Sequence, residues 1–257
     1  MTRTHAVPDP TPQSERGLDR MEEQSESPKT EEARMKDAYS RRPTDDFRYS
    51  LFNPGQLFRI QQIERRLLSS LRQRGFEPLS TKTILEIGCG TGSWLREFVN
   101  WGAKPENITG IDLLPERVAK AKQLSPATMT IQCGNASQLA LPNASFDLVF
   151  QSTVFTSILD RRTKQQIAAE MLRVVRSDGL IVWYDYHVNN PSNPDVRGVK
   201  KREIHELFPR CNIELHRITL APPVGHWLAP RSWILACFLE KIPLLCTHYI
   251  GIIQKTD

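Results

Sequence analysis

Apolar positions recur along the chain in two alternating rhythms. In "LFRIQQIERRLLSSLRQRG" the residues Leu57, Ile60, Ile63, Leu67, Leu68 and Leu71 share one side, which predicts a helix ending at Gly75 and packing beside a sheet. In "ILEIGCGTGSWL" the rhythm changes. Ile84, Leu85 and Ile87 form a short apolar run around Glu86, as in a strand buried on both faces, and Trp94, Leu95, Phe98 and Val99 then return to helical spacing. The pair predicts a strand over roughly 83–87 and a helix over 93–101. The same alternation follows in "ENITGIDLLPERVAKAKQL", with a strand at 108–111 and a helix starting near Pro115. "MTIQCG" predicts a third strand and "FDLVFQSTVF" a fourth. "TKQQIAAEMLRVV" predicts a helix stopping at Asp178-Gly179, and "LIVWYD" a fifth strand. Strands alternating with helices at this spacing predict an α/β fold, a parallel sheet with helices on both faces.

Beyond the fifth strand the order changes. A helix near 200–208 leads to the strand pattern "IELHRITL", then to a Pro-punctuated insertion at 221–246 holding "RSWILACFLEKI", and last to "THYIGIIQK". Two late strands predict an antiparallel edge on the parallel sheet. The insertion is too short and too often charged to span a bilayer; it suits a core or lid helix better than a membrane-surface one.

The first 46 residues lack either rhythm. They are rich in Pro, Ser, Thr, Glu and Arg and are expected to be a disordered tail ahead of a single domain at 47–257. That tail carries 8 Lys and Arg against 11 Asp and Glu, so a total of +5 leaves the domain basic. Five widely spaced cysteines without a CxxC pair suggest neither a zinc site nor a disulfide framework, and no metal is expected. With no signal-peptide-like start and no long uncharged stretch, a cytoplasmic protein is expected, peripheral contact with a membrane being left open.

The glycines carry the chemistry. Gly88, Gly90 and Gly92 follow the first strand directly, with Glu86 inside that strand and Asp112 ending the second, an arrangement that cradles nucleotide-like ligands. A dinucleotide oxidoreductase also places glycines and an acid in these positions. Its spacing is G-x-G-x-x-G, whereas here Ser93 stands where the third glycine would fall. Taken singly, the glycines could be a tight turn and Asp112 a helix cap.

The blocks "LEIGCGTGSW", "GIDLLPERV", "GNASQLALPNASFDLVF" and "MLRVVRSDGLIVWYD" stand in the order that resembles class I S-adenosylmethionine-dependent methyltransferases, over about residues 80–186. The resemblance implies a Rossmann-like, doubly wound sheet of seven strands, mostly parallel with a C-terminal antiparallel hairpin strand. It implies S-adenosyl-L-methionine as cofactor, with Gly88, Gly90 and Gly92 approaching its methionine part and Glu86 receiving its ammonium group. Asp112 would accept the ribose hydroxyls and Leu113 face the adenine. Asn135, where the family usually has Asp, and Ala136 would meet the adenine edge. Gln151, with Ser152, would border the sulfonium.

Methyl transfer to a hydroxyl is helped by a base. His187 after the fifth strand is the first candidate because its ordinary pKa lies near working pH, and Asp185 is the second. Tyr186, Asn189, Asn190 and Arg197 are candidates to hold the acceptor. The fourth strand ends in "FQSTVF", unlike nucleic-acid amino-methylating enzymes, so no nucleic-acid partner is expected. The layout resembles the small-molecule branch of the family, and "WYD…NNP…DVRG" is similar to bacterial enzymes of glycan and glycolipid pathways. The expected partner is a small-molecule, glycan or lipid-linked acceptor methylated at oxygen. A peripheral enzyme on a lipid acceptor and a cofactor-binding protein without catalysis are the alternatives.

Overall fold

The computed structural model describes residues 1–2, 30–41 and 47–256. Seven strands form one sheet in the order β3-β2-β1-β4-β5-β7-β6. β1 (Ile84–Ile87), β2 (Ile108–Asp112), β3 (Thr130–Cys133), β4 (Phe146–Ser152) and β5 (Val175–Tyr186) are parallel. β7 (Cys246–Lys255) runs antiparallel to both β5 and the edge strand β6 (Cys211–Leu220). This is the Rossmann-like sheet with its reversed C-terminal strands that the sequence implies. All four residues of β1, Glu86 included, are buried, as a strand between two parallel neighbours and covered on both faces requires.

Both sheet faces are covered. Helices α2 (Pro54–Gln73), α3 (Ser93–Asn100) and α4 (Pro115–Leu124) lie on one, α5 (Arg161–Val174) and α6 (Lys201–Leu207) on the other. α2 begins where Asn53 accepts a hydrogen bond from the Gly55 amide and Pro54 occupies the first turn, where a missing N–H costs nothing. It buries Ile63, Leu67 and Leu71 on the sheet while Leu68 stays partly exposed. Truncating Leu67 to Ala would remove about 2–5 kcal/mol of stability. α5 ends at Val174, short of the Asp178-Gly179 stop, because β5 starts at once. Phe146 pairs with Val175 and Leu148 with Leu180, so the intervening residues form a bulge instead of a helical turn.

Two expectations change. Within the tail, residues Glu31–Ser40 form a helix, α1, capped by Thr30 and carrying Glu31 and Glu32 in its first turn. The rest of the tail, apart from residues 1–2, 30 and 41, lies outside the described residues. The 221–246 insertion holds α7 (Pro222–Leu228) and α8 (Trp233–Leu239). Of α8 only Ala236 is buried, so the helix is not a core element.

Candidate functional site

At the carboxyl ends of β1, β2, β3 and β4 lies a cleft that opens to solvent. Its floor is Gly88, Asp112 and Asn135, with Leu113 and Ala136 beside them. Thr153 and Val154 form one wall, and Met35 and Tyr39 of α1 the roof. Gly88 has φ +68°, and a Cβ there would stand 2.5 Å from Val154 Cγ2, so neither the turn nor the space admits a side chain. Gly90 donates its amide to Asp112 Oδ2 at 2.8 Å, and Leu114 donates its amide to Oδ1 at 3.0 Å. Asp112 thus latches the glycine turn to the end of β2 and keeps a carboxylate edge at the cleft. Gly92 is the N-cap of α3 and lies, like Gly90, outside the lining.

Glu86 sits in β1 beneath the turn, buried, and its Oε2 has no hydrogen-bond partner among the described residues. Burial, reinforced by the negative charge of Asp112, raises its pKa well above the usual carboxylate range. A buried acceptor left unmade is costly, and a cationic ligand group is the natural partner for this one.

Two expected contacts are already engaged. Asn135 Oδ1 accepts from the Ser137 amide at 2.9 Å and the Ser137 hydroxyl at 2.8 Å, filling the two lone pairs expected to serve an adenine amine. Its Nδ2 donates to Glu32 of α1 at 3.1 Å. Gln151 is fully buried behind the wall. It donates to the Tyr184 carbonyl at 3.3 Å and accepts from the Val154 amide at 3.1 Å, which fixes the turn after β4. That turn holds Thr153 at φ +58°, an outlier for a β-branched residue and so a stored strain at the cleft wall.

The roof was not foreseen. α1 docks on the 155–160 turn through Glu31, which accepts from the Leu159 amide at 2.6 Å, and Arg34, which donates to the Ser157 carbonyl at 2.6 Å. Tyr39 and Ser157 share hydrogen-bonded hydroxyls at 3.0 Å, and the Arg117 guanidinium lies 4.4 Å from the Tyr39 ring centroid. Burial pushes the Glu31 carboxyl up, but Arg34 and the Leu159 amide outweigh it and the net shift is downward. The sequence signal was the Thr30-Glu31-Glu32 start followed by Lys36, a cap and an i,i+4 pair.

The residues after β5 fall elsewhere than expected. Asp185 is fully buried and accepts from the Thr156 amide at 3.1 Å and its neighbour's amide, Tyr186, at 2.9 Å. Burial raises its pKa to about 7. It positions the turn on which α1 rests. His187 bonds through Nε2 to the Cys246 carbonyl at 3.0 Å and packs against Tyr249; burial lowers its pKa. Asn189 and Asn190 close turns of their own loop, accepting from Gly198 and Ser192, and Arg197 pairs with Glu203. None of these lines the cleft.

A second polar cluster lies on the α2 face of β5 and β7. Tyr184 stacks on His248 with ring centroids 4.7 Å apart, and Tyr186 lies 3.7 Å from the same imidazole. The Tyr184 hydroxyl meets the Thr219 hydroxyl at 3.0 Å and accepts from Arg59 of α2 at 3.4 Å. Thr219 is a second β-branched residue at positive φ, +67°. His248 is fully buried; its Nδ1 lies 3.0 Å from the Thr247 hydroxyl, and its Nε2 has no partner among the described residues. The Thr247 hydroxyl donates to the Thr219 carbonyl at 3.5 Å, so its oxygen is left to accept from Nδ1–H. That assignment leaves an open lone pair on Nε2. Burial, then the charges of Arg59 and His187, depress the His248 pKa well below its ordinary value. Neither His248 nor Arg59 carried a sequence signal, since their meeting depends on β7 pairing beside β5.

Comparison with known proteins agrees with this geometry. Residues 84–179 match the family described as a methyltransferase domain. A 2-methyl-6-phytyl-1,4-hydroquinone methyltransferase from Synechocystis is 33% identical over 129 residues, 49% of this chain and 39% of that protein. A demethylmenaquinone methyltransferase from Bacillus licheniformis is 28% identical over 121 residues, 46% of this chain and 49% of that one. The chain thus spans less than half the length of these relatives. In fold, it resembles a solved S-adenosylmethionine-dependent methyltransferase from Clostridium acetobutylicum. The TM-score is 0.55 at 12% identity, covering 77% of this chain and 92% of that one. Residues 84–179 thus correspond to a methyltransferase domain, and the fold is the one seen in that solved methyltransferase. An unpartnered buried carboxylate behind a side-chain-free turn fits the ammonium-bearing end of S-adenosylmethionine, the cofactor in that solved protein's name.

Proposed function

We propose that the chain transfers a methyl group from S-adenosylmethionine to a hydroxyl of a largely apolar small molecule held between Tyr186, His248 and Arg59. The observation that carries this reading is the open lone pair on the buried His248 Nε2, beside Tyr186 at the end of the sheet where β5 stops and where the other parallel strands carry the cofactor cleft. The hydroquinone and the quinone in the names of two relatives support an apolar acceptor, and two further relatives named O-methyltransferases support transfer to oxygen. A glycan or lipid-linked acceptor offers the same hydroxyl chemistry.

The bound cofactor supplies an electrophilic methyl on a positively charged sulfur. The chain's residues do the rest. Glu86 receives the ammonium group through the glycine turn, and Asp112 and Leu113 hold the nucleoside side. Tyr39 and Met35 exclude water from above. A hydroxyl held there would give its proton to His248 Nε2 as its oxygen takes the methyl group, the displaced electron pair remaining on the cofactor's sulfur. Burial keeps that imidazole neutral and ready to accept. His187 sits across the strand pair, its Nε2 held by Cys246, and acts as a positioning residue for the start of β7. Asp185 positions the 155–157 turn.

Calorimetric titration with S-adenosylmethionine and NAD, followed by turnover of methyl-labelled cofactor on a panel of hydroquinones, catechols and sugars, tests the reading. Micromolar binding of the sulfonium cofactor with labelling of a hydroxyl acceptor is expected. Preferential NAD binding, or methylation confined to amines, overturns it.

A further inference from the structure

α8 turns its apolar side to solvent. Ile234 is 85% exposed, Phe238 and Leu235 are exposed beside it, and Leu244 just beyond is 82% exposed. The inward side is already filled, by Ala236 and by Trp233, whose ring meets Phe58 of α2 edge-on at 5.0 Å. Trp227 of α7 is exposed in the same insertion. Phe52, 91% exposed, and Leu51 precede α2, whose Gly55 abuts His226 of α7. Scattered apolar residues on a surface need no explanation; this many in one small segment do.

The charges around them are of one sign. Arg231 lies over the Trp227 ring at 4.9 Å, and Lys241 is exposed directly after α8. The single carboxylate between residues 221 and 246, Glu240, is turned towards α2, where Gln62 and Arg65 bind it. An apolar centre flanked by cations, on a helix too short to span, is the pattern of an element lying in the headgroup and acyl boundary of a membrane. A second copy of the chain fits less well, because a symmetric contact would bring the Arg231 and Lys241 residues of both copies together.

We propose that the α7–α8 insertion, with Leu51 and Phe52, seats the protein on an anionic lipid surface. The surface adjoins the α2 and α7 cover of the Arg59, Tyr186 and His248 cluster, so it would bring an apolar acceptor to that cluster from the bilayer. Only this purpose rests on the proposed methyl transfer; the docking itself does not.

Flotation of the full chain with phosphatidylcholine vesicles, alone or mixed with phosphatidylglycerol, is the test. The chain should float with the anionic vesicles and be released by high salt. Ile234→Glu combined with Phe238→Glu should abolish flotation with melting temperature and S-adenosylmethionine affinity unchanged. Arg231→Glu and Lys241→Glu should each weaken it at least about fivefold. No flotation of the parent chain on either vesicle, or variants that float as the parent does, overturns the proposal. A parent chain that elutes as a dimer, becomes monomeric in the Ile234 and Phe238 variant and never floats assigns the face to a second copy instead. Failure to bind S-adenosylmethionine with flotation intact counts against the methyl-transfer reading alone.

Discussion

The two halves of the sheet solve different problems. From β3 to β4 the site is made of backbone: a turn without side chains, two buried carboxylates and a strained residue after β4, all closed by the polar helix α1. From β5 to β6 it is made of side chains. Tyrosine and histidine rings stack under α2 and α7, whose neighbour α8 is apolar on the outside. The residues that match the methyltransferase domain, 84–179, end within β5, before any of these rings. The proposed cofactor cleft is built from a local motif close in sequence; the proposed acceptor cluster is built from residues that only folding assembles.

The strongest way to break this comparison lies in the second half. His248→Ala should lower turnover on a proven hydroxyl acceptor by about 10²–10⁴ with cofactor affinity unchanged, since a positioned base acts in the transition state. Full turnover in that variant, with loss in His187→Ala instead, would return the base to the loop after β5. In the first half, Asp112→Ala should weaken S-adenosylmethionine binding by about 1.5–3 kcal/mol, measured calorimetrically, because it removes a charged acceptor and frees the glycine turn. A change within twofold would leave Asp112 a latch and nothing more.

Glu86→Gln separates stability from binding. The folded-state pKa of Glu86 is raised, so the parent's stability is fully present below the unfolded value near 4.5 and is lost as pH rises through the folded value. Asp185 has the same sign, with its window between 3.8 and about 7. The melting temperature of Glu86→Gln, relative to the parent, should therefore climb as pH rises above about 5 while its affinity for the sulfonium cofactor falls. A gap that is constant with pH would mean that folding does not shift the Glu86 pKa. The smallest effect concerns the roof. Removing residues 1–29 should leave cofactor affinity unchanged, whereas removing 1–41 should weaken it about tenfold, roughly 1.4 kcal/mol, by taking away Met35 and Tyr39. Equal affinities would show that α1 covers the cleft without touching the ligand.

Much of the first half could be read before folding. Ile84, Leu85 and Ile87 followed by glycines announced the strand and turn, and Asp112 falls at the end of β2 as its place in "GIDLLP" implied. Asn135 and Gln151 were located correctly on their elements, but their bonding was not legible, because Ser137 and the Tyr184 carbonyl compete for the same polar groups. α1 went unseen for a physical reason. Its apolar residues are few, and it holds to the turn after β4 through Glu31, Arg34 and Tyr39, contacts that span more than a hundred residues of chain.

The sequence by itself determined the alternation of strands and helices, the reversed last strands and the cofactor turn, since each depends on residues within a few positions of one another. Tertiary structure alone decided which histidine is left with an open nitrogen. His187 stands in the more suggestive loop, but antiparallel pairing of β7 with β5 gives its Nε2 to the Cys246 carbonyl. The same pairing sets His248 opposite Tyr186, where burial strips it of solvent and nothing in the chain replaces the lost hydrogen bond.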